Sequence, residues 1–561
     1  MADNWGAPSG NSDVVDGNST ASVTFAPVIQ VIPQPAEGWT NPTAYDYTDN
    51  APDNWDGNAT VYEFDGDTGD LGPEHPELER QLFGEPSTIT SGHGIDFSAI
   101  TKIDVFQEGP VRVMPIQKFE DAGLHPAMAK NIALAKYTVP TPIQKYCIPA
   151  IRAGHDLIAI AQTGSGKTAA YIVPILDKLM GKAKKLAAPR PDPTRYRPGI
   201  DPPMRAEPLV LIVCPSRELA IQIFNEARKF CYRSMLRPGI VYGGGPVPDQ
   251  IASLQKGCDV LIGTAGRLCD FMKRPDVLTL RRLRFMVFDE ADEWLHDDWA
   301  TEFAQIMSGG EDGKIQYMFF SATFPKNLRD VAKEHLKTSH VRIRVGRAGS
   351  SHGNIKQNIV MVDSALKKTA LFDLLMSLPP TRTIIFANSR RAVDEIDDFL
   401  FNKGVPCTGL HGDRTQKERE ASMRAFRAGT SPVLIASAGV AGRGIDVRNV
   451  MHVVNYDLPT MEHGGIEEYT HRIGRTGRIG HRGLATSFFT ERDEPMASVL
   501  TRTLQETNQD IPDFLEQYKV GDGRKLQFEA DSDFEEEEEE CGTVEEASPE
   551  EATTDANNNG P

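Results

Sequence analysis

Two α/β lobes in tandem, each built on a parallel sheet and flanked by acidic disordered ends, are the fold this 561-residue sequence predicts. Three observations lead there. From about residue 106 onward, short apolar runs alternate with helical patterns, the change of period expected of strands joined by crossover helices. The runs fall into two series, 157–161, 209–214, 260–262, 285–288 and 317–320, then 383–386, 433–436, 452–454 and 485–489. Between the series lies 346–354 (GRAGSSHGN), short, Gly/Ser-rich and suited to a hinge. A chain of this length also exceeds what one hydrophobic core supports.

The expected organisation follows: an acidic, mostly disordered extension over 1–105, a first lobe over 106–345, the linker 346–354, a second lobe over 355–515 and an acidic tail over 516–561. The first 90 or so residues are rich in Gly, Asn, Asp, Pro and Thr with little apolar periodicity, a composition that does not offset its ordering entropy. Residues 181–208 interrupt the first lobe with seven prolines and seven Lys or Arg, a surface loop by expectation. At the far end, residues 535–540 are an uninterrupted glutamate run that repels itself.

The formal net charge of −19 speaks at first against a polynucleotide partner. Its distribution reverses the inference. Residues 1–100 hold 17 acidic side chains against one arginine, and residues 521–561 hold 15 against two basic ones, which leaves 101–520 at +10. A basic middle between acidic ends is compatible with phosphate backbones. Seven cysteines are scattered without the close pairs of zinc or redox sites, so reduced, buried thiols are expected. No basic start precedes an apolar run and no span of about 18 apolar residues occurs. The expectation is a soluble, cytoplasmic chain with no membrane segment, nuclear residence being an open alternative.

The chemistry concentrates in two strings. Residues 161–168 (AQTGSGKT) follow a strand and open a helical segment, the context in which a Gly-rich loop cradles phosphates. Gly164 and Gly166 free backbone N–H groups to curl around phosphate oxygens, Lys167 reaches the terminal phosphates, and the Thr168 hydroxyl suits a Mg²⁺ shell. Gln162, Thr163 and Ser165 complete the candidate loop. At the end of the run 285–288 stand Asp289, Glu290, Ala291 and Asp292, carboxylates at a carboxyl edge where α/β sheets bind ligands. Asp289 is the candidate metal holder and Glu290 the candidate water-orienting group.

These four letters, together with PSRELA (215–220), GTAGRL (263–268), SAT (321–323), HGDRTQ (411–416) and HRIGRTGR (471–478), make the chain resemble the DEAD-box RNA helicases over roughly 119–490. Residues 94–105 (GIDFSAITKIDV) resemble the segment before the core in the Vasa and Ded subgroup. The resemblance implies two RecA-like lobes, ATP and Mg²⁺ as cofactors, and RNA gripped without sequence preference by a core that works as a monomer. It places adenine against Phe119, Tyr137 and Gln144, and ribose and phosphates against Gly444 and Asp446. Arg475 and Arg478 are the implied catalytic arginines. Asp292, Ser321, Thr323 and His471 are the implied coupling residues. Ser216, Arg217, Gly244, Thr264, Gly266, Arg267, Gln416 and Arg419 are the implied RNA contacts. Acidic termini are candidate docking segments for protein partners.

Some positions depart from the family pattern. Ser216 replaces a threonine, and Ala265 replaces a proline, which is expected to loosen the turn that holds Arg267. Residues 436–446 (ASAGVAGRGID) run one residue longer than their family counterpart, with neither Ser437 nor Ala438 aligned to the usual threonine, and 462–465 form an extra loop. An ATP-dependent clamp without strand separation and a DNA-directed motor are the alternative readings.

Overall fold

A computed structural model describes residues 34, 36–40, 57, 59–64, 71–84, 105–108, 110–162, 164–182, 185, 200, 205–295, 299–310, 315–323, 330, 334–346, 354–441, 447, 449–463, 465–477 and 482–519. Strands β1 (Val105–Glu108), β2 (Leu157–Ala161), β3 (Val210–Cys214), β4 (Pro238–Val241), β5 (Val260–Thr264), β6 (Phe285–Asp289), β7 (Gln316–Ser321) and β8 (Val341–Val345) form one sheet. Their order is β1-β8-β2-β7-β6-β3-β5-β4, parallel except for the β1–β8 pair. A second sheet, parallel throughout, takes β9 (Ile355–Met361), β10 (Thr383–Ala387), β11 (Cys407–Leu410), β12 (Val433–Ser437), β13 (His452–Asn455) and β14 (Gly483–Phe489) in the order β11-β12-β10-β13-β14-β9.

Every residue of β2, β3, β5, β6 and β7 is buried, as parallel strands covered by helices on both faces must be. That continuous apolarity is what made them readable. Sequence reasoning missed five strands: β11 is wholly buried, but its short Cys-Thr-Gly-Leu run offers no apolar stretch, and the other four have different patterns. β8 and β9 alternate buried and open positions and carry Arg, Lys or Gln, while β4 begins with Pro-Gly and β1 is only partly buried. The topology places β2, β7 and β6 side by side, so the loop after β2, the Ser321 end of β7 and the Asp289 end of β6 open into one crevice.

Most of the 1–105 extension lies outside the described residues, as do the linker 347–353, most of 181–208, and the tail beyond 519. Two described parts of the extension nevertheless pack on the lobes. The helix Pro76–Phe83, started by a His75 side-chain cap with proline in its first turn and ended by Gly84 at φ 81°, buries Leu78 and Leu82. These join Tyr62 and Tyr232 in a small cluster on the first lobe. Around it the Arg228 guanidinium donates to Thr60 O at 2.6 Å, Arg233 pairs with Glu74 at 2.8 Å and Arg237 with Glu63 at 3.2 Å. Farther upstream, Trp39 packs into the second-lobe core beside Leu371, Leu375 and Leu400, and the Ala36 N–H donates to Gly404 O at 2.9 Å. The expectation of an unpacked extension is narrowed by these segments. Basic side chains of the first lobe supply partners for its acids, an effect that composition averaged over 90 residues hides.

At the other end the second lobe continues through a 3-10 turn, Asp513–Tyr518, with Leu515 fully buried. The six cysteines among the described residues are free and buried. No helix among the described residues is long and apolar enough to cross a membrane.

His452 sits in the middle of the second sheet, 2 % exposed, its Nε2 2.9 Å from Thr486 Oγ1. Burial pulls its pKa from 6.5 down to about 4. A histidine held neutral by the fold favours the native state above its unfolded pKa, and that favour is lost as pH falls toward the folded one. Between pH 6.5 and about 4 the second lobe should lose about 3 kcal/mol from this group. Chemical denaturation across that range should show the loss, and His452→Gln should remove this part of the pH dependence.

Candidate active site

The loop after β2 passes straight into the helix Lys167–Met180. Gly164 and Gly166 hold φ of 76° and 89°, a region that side chains adopt only with strain. At Gly166 space is closed as well: an added Cβ would stand 2.6 Å from Gln144 Nε2 and 3.2 Å from Thr141 Oγ1. Gln144 is the reason for that closeness. It is the third residue of the helix Pro142–Ala153, where its Oε1 accepts from the Thr141 N–H at 3.0 Å and its Nε2 donates to Gly166 O at 3.1 Å. The amide therefore latches a helix start to the phosphate loop, with one more donor and one more lone pair for a ligand edge. Phe119 and Tyr137 form a stacked pair, centroids 6.5 Å apart at 30°, and Tyr137 also meets Phe230 edge-on at 5.9 Å. Thr163 lies outside the described residues.

Lys167 is 8 % exposed, its ammonium donating to Ala161 O at 2.6 Å and Ser321 O at 3.3 Å. Burial holds its pKa below the ordinary value, with Asp289, Asp292 and Glu290 acting in the opposite sense and Arg475 adding to the depression. Across the crevice Asp289 is buried at the end of β6. Its Oδ1 accepts from the Glu290 N–H at 3.0 Å and its Oδ2 from the Tyr171 hydroxyl at 2.8 Å. Burial pushes the Asp289 carboxyl above its usual range, against the pull of Lys167. The Glu290 carboxyl is likewise raised by burial, against the pull of Arg475. Glu290 also has a φ of 51°, a left-handed backbone at a non-glycine residue that costs about 1 kcal/mol and re-aims its side chain.

Arg475 belongs to the second lobe, just after the helix Gly465–Ile473, and its Nε donates to His471 O at 3.1 Å. It is 2 % exposed and His471 6 %. That its charge acts on Glu290 and Lys167 shows the two lobes contributing to one cluster. On the first-lobe side, Thr323 Oγ1 donates to Asp292 Oδ2 at 2.8 Å and the Thr323 N–H to Ser321 Oγ at 3.2 Å. With Lys167 on Ser321 O, a bonded chain runs from the phosphate loop through β7 to Asp292. Arg478, Gly444 and Asp446 lie outside the described residues, whereas Ser437 closes β12 and residues 438–441 form one helical turn.

The implied RNA contacts gather at a second place on the lobe boundary. Ser216 caps the helix Arg217–Phe230 through Leu219 N at 3.3 Å. Arg217 Nη1 donates to Gln416 Oε1 at 3.0 Å, and Arg419 pairs with Glu218 at 2.7 Å, both partners under 10 % exposed. Tyr242 completes the seam by donating to Glu420 Oε1 at 2.7 Å. Gly244 holds φ 86°, a backbone that a side chain adopts only with strain, and a Cβ there would stand 2.7 Å from Arg217 Nη1 and displace that guanidinium. Thr264 precedes the helix Ala265–Met272, where Ala265 takes the first position, the one a proline also fits, and the helix forms without it. Gly266 is open, and Arg267 lies over the Phe271 ring at 5.5 Å. Glu218, Tyr242 and Glu420 were not singled out from the sequence, although Glu218 stands inside the PSRELA string. Arg472, counted among the basic residues of HRIGRTGR, is structural: it is buried on Glu468 at 3.0 Å, Asp457 O at 2.8 Å and Asn388 Oδ1 at 3.0 Å.

Comparison with known proteins agrees with this geometry. Residues 141–331 match the DEAD/DEAH box helicase family and residues 366–480 the helicase conserved C-terminal domain. Among solved structures, S. cerevisiae Dbp5 bound to RNA and ADP BeF3 is similar at 27 % identity, covering 71 % of this chain and 95 % of that one, with a TM-score of 0.59. A Dbp5 variant from S. cerevisiae bound to gle1 and ip6 is similar at 28 % identity, covering 70 % and 94 %, with a TM-score of 0.55. Mss116p bound to ssRNA and AMP-PNP, at 22 % identity, 72 % and 82 % coverage and a TM-score of 0.59, shares the fold. The two family matches fall one on each sheet and take in the loop, the Asp289–Asp292 string and the second-lobe arginine, so the chain belongs to the DEAD-box helicase family.

Proposed function

We propose that the chain is an ATP-dependent RNA helicase of the Vasa/Ded type, in which closure of two lobes couples hydrolysis to local strand separation. The observation that carries this reading is the buried cluster formed by Lys167, Asp289 and Glu290 of one lobe with Arg475 of the other. A nucleotide bound between them gains contacts available only in the closed arrangement, and so shifts the lobes toward it. RNA held across Arg217, Arg267, Gln416 and Arg419 favours the same arrangement, which makes the two ligands cooperative.

The residues divide the work by position. Phe119, Tyr137 and Gln144 hold the base, and Gly164, Gly166 and Lys167 hold the phosphates. Glu290, buried and turned by its left-handed backbone, orients the attacking water and receives its proton. Arg475, with Arg478, faces the charge that develops on the transferred phosphoryl group. Asp289 and Thr168 offer the hard oxygen donors that Mg²⁺ takes, and Asp289 already has both oxygens fixed by donors. Mg²⁺ held there would neutralise charge on the phosphate oxygens. Contacts through sugars and phosphates position a strand without reading it, so sequence-independent binding follows. The subgroup is supported by residues 94–105, most of which lie outside the described residues. Docking of protein partners on the acidic ends, action as a monomer and cytoplasmic residence belong to the same reading, and the gle1 complex of the Dbp5 variant is in keeping with protein partners.

ATP turnover measured with RNA, with DNA of the same sequence and with neither should be stimulated by RNA, and short duplexes should separate on ATP addition. Equal stimulation by DNA would sink the RNA assignment. Arg475→Ala should lower kcat by about 1,000-fold while nucleotide binding persists, read by single-turnover hydrolysis. Arg419→Glu leaves Glu218 buried without its cation and should weaken the closed form by about 3 kcal/mol. Fluorescence transfer between labels on the two lobes should then report loss of closure, and adding Glu218→Arg should restore part of it.

A further inference from the structure

One turn past Lys167, the same helix carries a tyrosine with no exposed surface. Tyr171 stands three residues beyond Thr168 and four beyond Lys167, so the three side chains share a face and lean back toward the phosphate loop. Its ring packs against Phe320 of β7, centroids 4.9 Å apart at 58°. Packing alone needs no hydroxyl there. Yet the hydroxyl reaches Asp289 Oδ2 at 2.8 Å, while Asp289 Oδ1 takes the Glu290 N–H at 3.0 Å. Two donors from two different elements thus fix both oxygens of one buried carboxylate.

We propose that Tyr171 is a positioning residue for metal-bound nucleotide: its hydroxyl sets the rotation of the Asp289 carboxylate, and with it the direction of the lone pairs that face Mg²⁺ and its waters. The inference rests on the nucleotide-site reading above. An ionised carboxylate offers about four lone-pair directions, of which these two bonds use two. Without the phenol the carboxylate loses the donor on Oδ2, and with it a restraint on rotation about the Cβ–Cγ bond. Partners of this kind behind a metal ligand commonly change metal affinity by 10- to 100-fold.

Tyr171→Phe keeps the ring and removes only the hydroxyl. Binding of a fluorescent ADP analogue to the full-length chain, first in EDTA and then with rising Mg²⁺, separates the possibilities. The variant should bind metal-free analogue as the wild type does, but should need about 10-fold more Mg²⁺ for half of the metal-dependent change. In an Asp289→Asn background, Tyr171→Phe should add only a small further shift, because the hydroxyl acts mainly through that carboxylate, its other bonded neighbour being the Thr168 side chain. An unchanged Mg²⁺ midpoint, an equal further shift in the Asp289→Asn background, or loss of metal-free binding, which marks a packing role, would each overturn the proposal. Wild-type binding that ignores Mg²⁺ would overturn the nucleotide-site reading itself, whereas a normal wild-type response shared by the variant overturns only the role of Tyr171.

Discussion

Opposite charges held out of water across a lobe boundary are the constraint on which this molecule turns. Lys167, Asp289, Glu290 and Arg475 are each less than 10 % exposed. Removing an ion from water costs several kcal/mol even after relaxation, and only close, well-bonded counter-charges offset it. The cluster meets that condition incompletely, because burial still drives the two carboxyls up and the lysine down. Such residual tension is found where a fold sets groups for chemistry. Here it also has a direction, since the arginine comes from the second lobe and the rest from the first. Separation of the lobes takes Arg475 away from Glu290, so the electrostatics of the first lobe depend on where the second one is.

The seam formed by Glu218, Arg419, Arg217, Gln416, Tyr242 and Glu420 obeys the same rule at a distance from the phosphate loop. Side chains that family resemblance assigns to a polynucleotide are bonded to one another across the boundary. By that resemblance, strand contact and lobe contact draw on the same residues.

The fold was legible where uniformly buried strands are also continuously apolar, which β4 (Pro-Gly-Ile-Val) and β11 (Cys-Thr-Gly-Leu) are not. Strands such as β2, β3 and β6 announce themselves because both faces are covered, whereas β8 and β9 hide theirs behind alternating arginines and glutamines. The phosphate loop and the Asp289–Asp292 string were legible because each stands at a strand end in a short, contiguous run. Tyr171, Tyr242 and Glu420 were not, since a tyrosine in an apolar helix or just past a strand and a glutamate in a charged helix carry no local mark of what they will face. Their meaning comes from partners more than 100 residues away, at Asp289 for Tyr171 and across the lobes for the other two. Arg472 shows the converse: a basic residue inside a functional string whose partners are all internal.

The amino-terminal extension is fastened at both ends of a span, by Trp39 on the second lobe and by the residues from 57 onward on the first. A peptide chain cannot stretch beyond about 3.5 Å per residue, so the stretch from 40 to 57 reaches about 60 Å at most. While both fastenings hold, that contour length is a leash: it caps how far the lobes can part, independently of the linker that joins them in sequence.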